Sequence, residues 1–149
     1  ITRLWYPYFL AARRGRLSFD EVYESGLIGR EAKRIYDVVD SSGPVPLHDI
    51  KRAAGFSKSD KGKFERALVD LQTGLIITMC GTQQKISQTG AEYGWSSTVF
   101  CTTEHFWDEE VFKTAASIRK EEAIEHIKNQ ILLLNPHATP KKIMKFITG

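Results

Sequence analysis

The sequence predicts a mainly α-helical fold with one small antiparallel β-hairpin. Apolar residues recur at helical spacing through most of the 149 residues. β-branched and aromatic residues instead concentrate in two short segments, 75–81 and 97–102, which indicates two strands. Glycine and proline separate the predicted segments and mark their ends. These three observations favour a helical core with a single hairpin.

Composition limits the classes of function. A hydrophobic content of 42% suits a folded core, and a net charge of +3 permits nucleic-acid binding without requiring it. Cys80 and Cys101 lack Cys-x-x-Cys spacing and the histidines lack His-x-x-x-His spacing, so neither a metal nor a cofactor is expected. Both thiols are expected to be free. No apolar run reaches the ~18 residues of a membrane span and no signal peptide is visible, which predicts a cytoplasmic protein without a membrane partner.

The first 28 residues are predicted to form a helical, aromatic N-terminal extension. An aromatic cluster at 5–10 precedes a basic cluster at 13–16. Pro7 suits the first turn of a helix and Gly15 its end, and 19–24 could form a further helical turn. The clusters could form a surface for nucleic acid. The favoured interpretation is an aromatic anchor in the core with solvated arginines, because aromatic side chains dominate core burial.

Three helices are predicted next, at 29–39, 47–55 and 57–73. Two prolines and a glycine end the first helix and leave room for a short extended segment before the second. The second and third helices are joined by a tight glycine-containing turn, which is typical of a helix-turn-helix. Three helices followed by a hairpin give the winged helix-turn-helix order, which predicts a winged-helix domain at 29–107.

The third helix is the predicted recognition helix, over about 59–73. Ser57 and Ser59 are candidate N-caps, and Gly74 is expected to end the helix with a positive φ. Gly62 lies on the outer face, where it could allow close approach to DNA or to another helix. One face is predicted to be buried: Phe64, Ala67, Leu68, Leu71.

Cations cluster around this helix, and phosphates of double-stranded DNA are their expected partner. From Lys51 to Lys85, seven cations face three anions, so the local excess of four exceeds that of the whole chain. The predicted DNA-binding residues are Lys51, Arg52, Lys58, Ser59, Lys61, Lys63, Arg66 and Lys85.

The predicted wing spans about 75–102, and its polar tip holds three glutamines, Gln83, Gln84 and Gln88. Two interpretations stay open. Lys85 and the glutamines could reach a minor groove or phosphates. Alternatively, the tip is merely solvated and Trp95 folds onto the core.

Residues 108–149 are predicted to form a C-terminal helical extension. A long helix is expected over 109–134, with an apolar stripe that runs to Leu134 and a break near Ser117. Acidic residues at 104–110 fit a helix N-terminus better than an acid/base pair. A last helix is predicted over 141–147, with Thr139 as N-cap. Its apolar residues need a partner surface, either in this domain or in a second copy that forms a homodimer: Ile143, Phe146, Ile147.

Three segments resemble the winged-helix portion of AlkZ-like proteins, which are winged-helix DNA glycosylases and their relatives. The segments are 27–36, 43–47, and 93–95 leading into 99–100. The tail at 123–147 resembles the start of a following winged-helix repeat. The resemblance implies DNA binding, in DNA repair or in transcription regulation.

The catalytic role of that family is not carried over. Its glycosylases position a water with a Gln-x-Gln or Gln-x-Asp motif, and none of the five glutamines of this chain fits either pattern. The sequence therefore favours a DNA-binding protein over an enzyme. The alternatives are a glycosylase-related protein without a recognisable catalytic motif, and a winged-helix protein-interaction module.

Overall fold

The computed structural model describes residues 1–87 and 89–149, so Gln88 of the predicted wing lies outside the described residues. The described chain is mainly helical with a small three-stranded antiparallel sheet, which confirms the predicted fold class. It divides into two compact units. One is residues 23–106, and the other combines residues 1–22 with 107–149.

The elements have the following bounds. The helices are α1 (Tyr6–Arg13), α2 (Phe19–Glu24), α3 (Arg30–Ser42), α4 (Leu47–Ala53), α5 (Lys61–Thr73), α6 (Thr103–Phe106), α7 (Glu109–Ser117), α8 (Lys120–Leu134) and α9 (Pro140–Thr148). The strands are β1 (Val45–Pro46), β2 (Ile77–Gln83) and β3 (Ser97–Thr102), and a 3-10 turn covers Lys58–Asp60. Within the described residues, no helix combines the length and apolar content needed to cross a bilayer.

The sheet has the order β1-β3-β2, with β3 in the centre. The extended segment expected between the first two helices is β1, where Val45 pairs with Phe100. β2 pairs with β3 along its length, and a bulge at Cys80 interrupts the register. Both cysteines are free, as predicted, and burial raises the pKa of the Cys101 thiol to about 12. β3, the second strand of the hairpin, is therefore paired with β1 on one side and with β2 on the other.

The exit from α5 corrects the expectation for Gly74. Gly74 has a φ of −71°, and the left-handed residue is Leu75, with a φ of 55°. The N–H of Ile76 donates to Leu71 O at 2.9 Å and that of Leu75 to Gln72 O at 3.1 Å, which is a Schellman motif. A Cβ at Gly74 would lie 3.3 Å from Ile76 Cδ1, so close packing accounts for the glycine. Because this exit uses residues 75 and 76, β2 starts at Ile77.

The core of residues 23–106 lies between α3, α4, α5 and the sheet. Its fully buried large side chains come from all four parts: Ile35, Val39, Ile50, Leu71, Ile76, Ile77 and Cys101. Thr103 is also fully buried, and its hydroxyl donates to Leu75 O at 2.9 Å. This bond joins the end of β3 to the start of β2, so the hairpin is anchored at its base.

Arg34 of α3 holds the turn between α4 and α5, which the sequence analysis did not foresee. Its Nη2 donates to the carbonyl oxygens of Ala54 and Gly55, the latter at 2.9 Å. The guanidinium lies 4.3 Å from the centre of the Phe56 ring. Phe56 in turn meets Phe64 of α5 edge-on, with ring centroids 5.1 Å apart. One side chain thus links three helices.

In the unit formed by 1–22 and 107–149, the arginines at the end of α1 match the expected solvation only in part, since Arg16 is exposed, Arg13 is half-buried and Arg14 is buried. Arg13 donates to Phe146 O and Ile147 O of α9, both at 2.8 Å. Arg16 donates to Ala116 O of α7 at 3.0 Å. The C-terminal ends of helices carry free carbonyl groups that attract cations. Arg13 therefore caps the end of α9, and Arg16 caps the end of α7. The expected aromatic anchor is present, since α1 buries Tyr6, Phe9 and Leu10.

The predicted long helix is two helices, α7 and α8, with the break at the position expected near Ser117. Asp108 caps α7 by accepting from Val111 N at 3.3 Å, in line with the helix-start interpretation of the acidic cluster. Leu134 is wrongly assigned to the apolar stripe, since it is 75% exposed. The buried residues of α8 are confined to Ala123 and Ile127, in its first half.

The last helix finds its partner surface partly within its own unit. Ile143 and Ile147 of α9 are buried, whereas Phe146 is 58% exposed. The Phe146 ring touches that of Phe9 edge-on, with centroids 5.6 Å apart. Two of the three apolar residues therefore need no second chain.

We expect Arg34→Ala to lower the free energy of unfolding by about 2 kcal/mol, because two charge-assisted hydrogen bonds and a cation–π contact are lost. Arg34→Lys should recover only part of this loss, because an ammonium group cannot reproduce the planar guanidinium that stacks on Phe56 and donates to two carbonyl groups. Urea unfolding followed by circular dichroism measures both variants. A loss below about 0.5 kcal/mol for Arg34→Ala, the range of ordinary surface substitutions, would show that the contacts of Arg34 with Ala54, Gly55 and Phe56 are dispensable.

Candidate nucleic-acid interface

The start of α5 is fixed by a local network of side chains. The backbone N–H of Ser57 donates to Asp60 Oδ2 at 3.0 Å, and the Ser57 hydroxyl donates to the same oxygen. These two bonds lower the pKa of the Asp60 carboxyl below its usual value. Ser59 is not an N-cap of α5, because it lies inside the 3-10 turn and Asp60 is the N-cap residue. Its hydroxyl contacts that of Ser57 at 2.7 Å.

The two faces of α5 lie as its spacing predicts. Phe64, Ala67 and Leu71 are buried, and Leu68 is half-buried. The outer face is exposed from Lys61 through Lys63 to Arg66. Gly62 lies in open space, with nothing within 4 Å of where its Cβ would be. Close packing against another helix therefore does not explain this glycine, and the outer face of the first turn is free of side-chain bulk.

The predicted cations differ in how far neighbouring anions compensate them. Lys61 lies 3.7 Å from Glu65, and Arg52 lies 2.6 Å from Asp49. By contrast, no ion pair between described residues involves the exposed Lys58, Lys63 or Arg66. Exposed pairs such as the first two are weak and can exchange for a phosphate. The strongest local attraction for an anion therefore comes from these three cations, although the charge of Lys63 also helps to lower the pKa of the nearby Asp60 carboxyl.

A groove of about 420 Å³ runs between the outer face of α5 and the start of α3. Its lining mixes both charges and apolar surface: Leu27, Gly29, Glu31, Ala32, Lys63, Arg66, Ala67, Asp70. Glu31 and Asp70 make the groove less positive than the outer face of α5 alone. The positive surface is therefore centred on the first two turns of α5.

The tip of the β2–β3 hairpin is held by a side-chain amide. Gln84 Nε2 donates to Gly94 O at 3.2 Å, and the Ser96 hydroxyl donates to Gln84 Oε1 at 2.6 Å. Lys85 is half-buried, and its carbonyl accepts the N–H of Tyr93 at 3.0 Å. Trp95 does not fold onto the core, since it is 91% exposed. The second interpretation of the tip is thus wrong in this respect.

Two further observations bear on chemistry. In residues 1–87 and 89–149, no group of three or more His, Cys, Asp or Glu side chains is placed to hold a metal ion. His126, one of the histidines taken as a packing or surface residue, stacks on Tyr8 with ring centroids 4.2 Å apart.

Comparison with known proteins identifies the family. A family model described as AlkZ related matches residues 1–148. The chain belongs to the AlkZ-related family. Neither a search of curated proteins nor a search of solved structures found a match. The model of the AlkZ-related family therefore includes both compact units, the helices around α1 as well as residues 23–106.

Sequence reasoning missed Arg34, although this AlkZ-related chain uses it to orient α5. The available signal was weak: Arg34 immediately precedes Ile35, at the margin of the apolar stripe of α3. Its partners are carbonyl groups about 20 residues later, at Ala54 and Gly55. Carbonyl acceptors carry no sequence signature, so the contact becomes visible only in the folded chain.

We expect Gly62→Ala to raise the free energy of unfolding by about 0.5–1 kcal/mol, because alanine favours a helix and the new Cβ meets no atom. Urea unfolding measures the change. Gly55→Ala is the matched control, because Gly55 has a φ of 69° and its Cβ would lie 3.2 Å from Arg34. That variant should be destabilised. If both variants lose stability, α5 is not a regular helix at Gly62.

Proposed function

We propose that residues 23–106 form a winged-helix unit that binds double-stranded DNA, with α5 as recognition helix and the β2–β3 hairpin as wing. The order α3, β1, α4, α5, β2, β3 supports the winged-helix assignment, since β1 between two helices pairs with β3 of the hairpin. The observation that carries the proposal is the outer face of α5, where exposed cations that form no ion pair with a described residue flank an exposed glycine. Membership of the AlkZ-related family agrees with a role on DNA.

The chemistry of α5 suits a phosphate backbone. Lys63 and Arg66 are three residues apart and lie on one side of the helix, next to the side-chain-free surface of Gly62. An α-helix fits the major groove of B-DNA, and phosphate contacts from Lys and Arg fix its register. Lys58 extends the same surface beyond the start of the helix. Lys51, Arg52, Lys61 and Lys85 would add weaker contacts.

We expect Lys63→Ala combined with Arg66→Ala to weaken binding to a duplex about tenfold at low salt. The slope of log K against log salt should fall by about 2, because two phosphate contacts are lost. Fluorescence anisotropy of a labelled duplex at several salt concentrations measures both quantities.

Lys141→Ala combined with Lys142→Ala is the matched control, because it removes the same charge from exposed positions on α9. This control should bind as the unaltered protein does. Equal losses in the two double variants would mean that net charge, rather than the α5 surface, governs binding. Absence of binding at low salt would refute the proposal.

A second candidate is a DNA-repair glycosylase-related activity, and the family match favours it. The hairpin glutamines give it little support. Gln84 uses both atoms of its amide to hold Gly94 and Ser96, and Gln83 is exposed on β2. Release of an alkylated base from damaged duplex DNA, abolished by Gln83→Ala, would establish the activity. Its absence would leave DNA binding as the function.

Protein interaction is the third alternative, and exposed apolar residues at the end of α8 favour it. Leu133 and Leu134 are 76% and 75% exposed. A homodimer through the C-terminal helices would cover them. Light scattering in the buffer of the duplex titration separates self-association from DNA binding.

A further inference from the structure

The hairpin tip exposes three large apolar side chains that the proposed winged-helix unit leaves unused. Ile86 is 64%, Tyr93 54% and Trp95 91% exposed. Aromatic side chains usually supply core packing, so one left almost fully in water has no role in holding this fold together. Singly exposed apolar residues are ordinary, but three at one hairpin tip indicate a contact surface.

The structure presents Trp95 on a held backbone. Gln84 binds the residues on both sides of Trp95, through Gly94 O and the Ser96 hydroxyl. Gly94 has a φ of 62°, a conformation that favours glycine. These contacts restrain the backbone before any partner arrives, which lowers the entropic cost of using the ring.

The position of the ring fits a contact well away from the core. Ser97 and Gln83 form the last pair of β2 and β3, and Trp95 lies two residues beyond that pair, toward the tip. At about 3.3 Å per residue, the hairpin carries the ring on the order of 20 Å from Ile77 at its base. A ring at that distance from the core can meet a displaced base beside the duplex that α5 covers.

The sequence neighbours of Trp95 suit a flat ligand that needs access to the ring alone. Small or polar residues flank it, Gly94 on one side and Ser96 on the other. Lys85 and Glu92 are the charged residues of the described tip, and their charges cancel. The tip therefore offers an aromatic ring but no net charge from its described residues. Attraction to phosphates comes from α5 instead.

We propose that Trp95 stacks on an unpaired or unstacked base, so that the protein prefers DNA with a local defect over a regular duplex. This inference rests on the proposed DNA binding by α5 and names its substrate class. Base–aromatic stacking tolerates any base, because every base has a π face. A regular duplex offers no free face, whereas a single-base bulge offers one.

The test compares affinities for two labelled duplexes of about 20 base pairs, or two helical turns, one regular and one with a single-base bulge. The unaltered protein should bind the bulged duplex roughly tenfold more tightly. Trp95→Ala should reduce that preference to about onefold and leave affinity for the regular duplex unchanged. Trp95→Phe should keep most of the preference, since phenylalanine retains a stacking face.

Leu4→Ala is the control, because Leu4 is also an exposed apolar residue, at 76%, and lies outside residues 23–106. It should keep the preference in full. Circular dichroism confirms that each variant is folded, which is expected because the Trp95 ring is exposed.

The outcomes separate this inference from the function on which it rests. Failure to bind either duplex at low salt refutes DNA binding itself. Equal binding of both duplexes, with no effect of Trp95→Ala, overturns the stacking inference alone. Equal weakening of both duplexes by Trp95→Ala also overturns it, because the ring would then be an ordinary contact to the regular duplex.

Discussion

The contact of Arg34 with the turn before α5 determines the geometry of the candidate interface. Arg34 binds two carbonyl groups at the end of α4 and stacks on Phe56, which packs on Phe64 of α5. The direction of α5, and with it the direction of Lys63 and Arg66, depends on that chain of contacts. Gly55 is part of the same set of contacts, because its positive φ and missing Cβ let the Arg34 guanidinium approach the backbone. The exposed cations of α5 thus lie on a helix whose start is held by Arg34 of α3.

The second constraint is the join between α5 and the hairpin. Leu75 adopts a left-handed conformation that a non-glycine residue adopts rarely, and it buries its side chain there. Its carbonyl accepts a hydrogen bond from the buried hydroxyl of Thr103, which follows β3. This bond helps to keep the backbone of Leu75 in its strained conformation. α5 and the proposed wing therefore share one junction. A substitution that moves either of them should also move the other.

Local periodicity predicted most of the architecture. The spacing of Phe64, Ala67 and Leu71 determines which face of α5 is buried, and β3 has the bounds that its β-branched run predicts. The failures involve long-range or side-chain-specific effects. Gly74 has the residue type common at a left-handed position, but the buried side chain of Leu75 stabilises that position instead. Trp95 is exposed because it lies at the hairpin tip, beyond the last pair of β2 and β3.

The candidate site was less predictable than the fold. The cations of α5 were visible as a local charge excess, but nothing in the sequence showed which of them neighbouring carboxylates would compensate. Arg13, Arg16 and Arg34 all bind carbonyl groups, and such acceptors are the same for every residue type.

The discontinuous unit has a consequence for how the chain is made. α1 is synthesised before residues 23–106, yet the helices that cover Tyr6, Phe9 and Leu10 follow residue 106. Until α7 to α9 leave the ribosome, these side chains have no final partners, whereas residues 23–106 can already assemble. Closing so long an intervening loop costs little more entropy than closing a short one, since the cost grows only with the logarithm of length. During synthesis, α1 therefore stays open to non-native contacts for longer than the helices of residues 23–106 do.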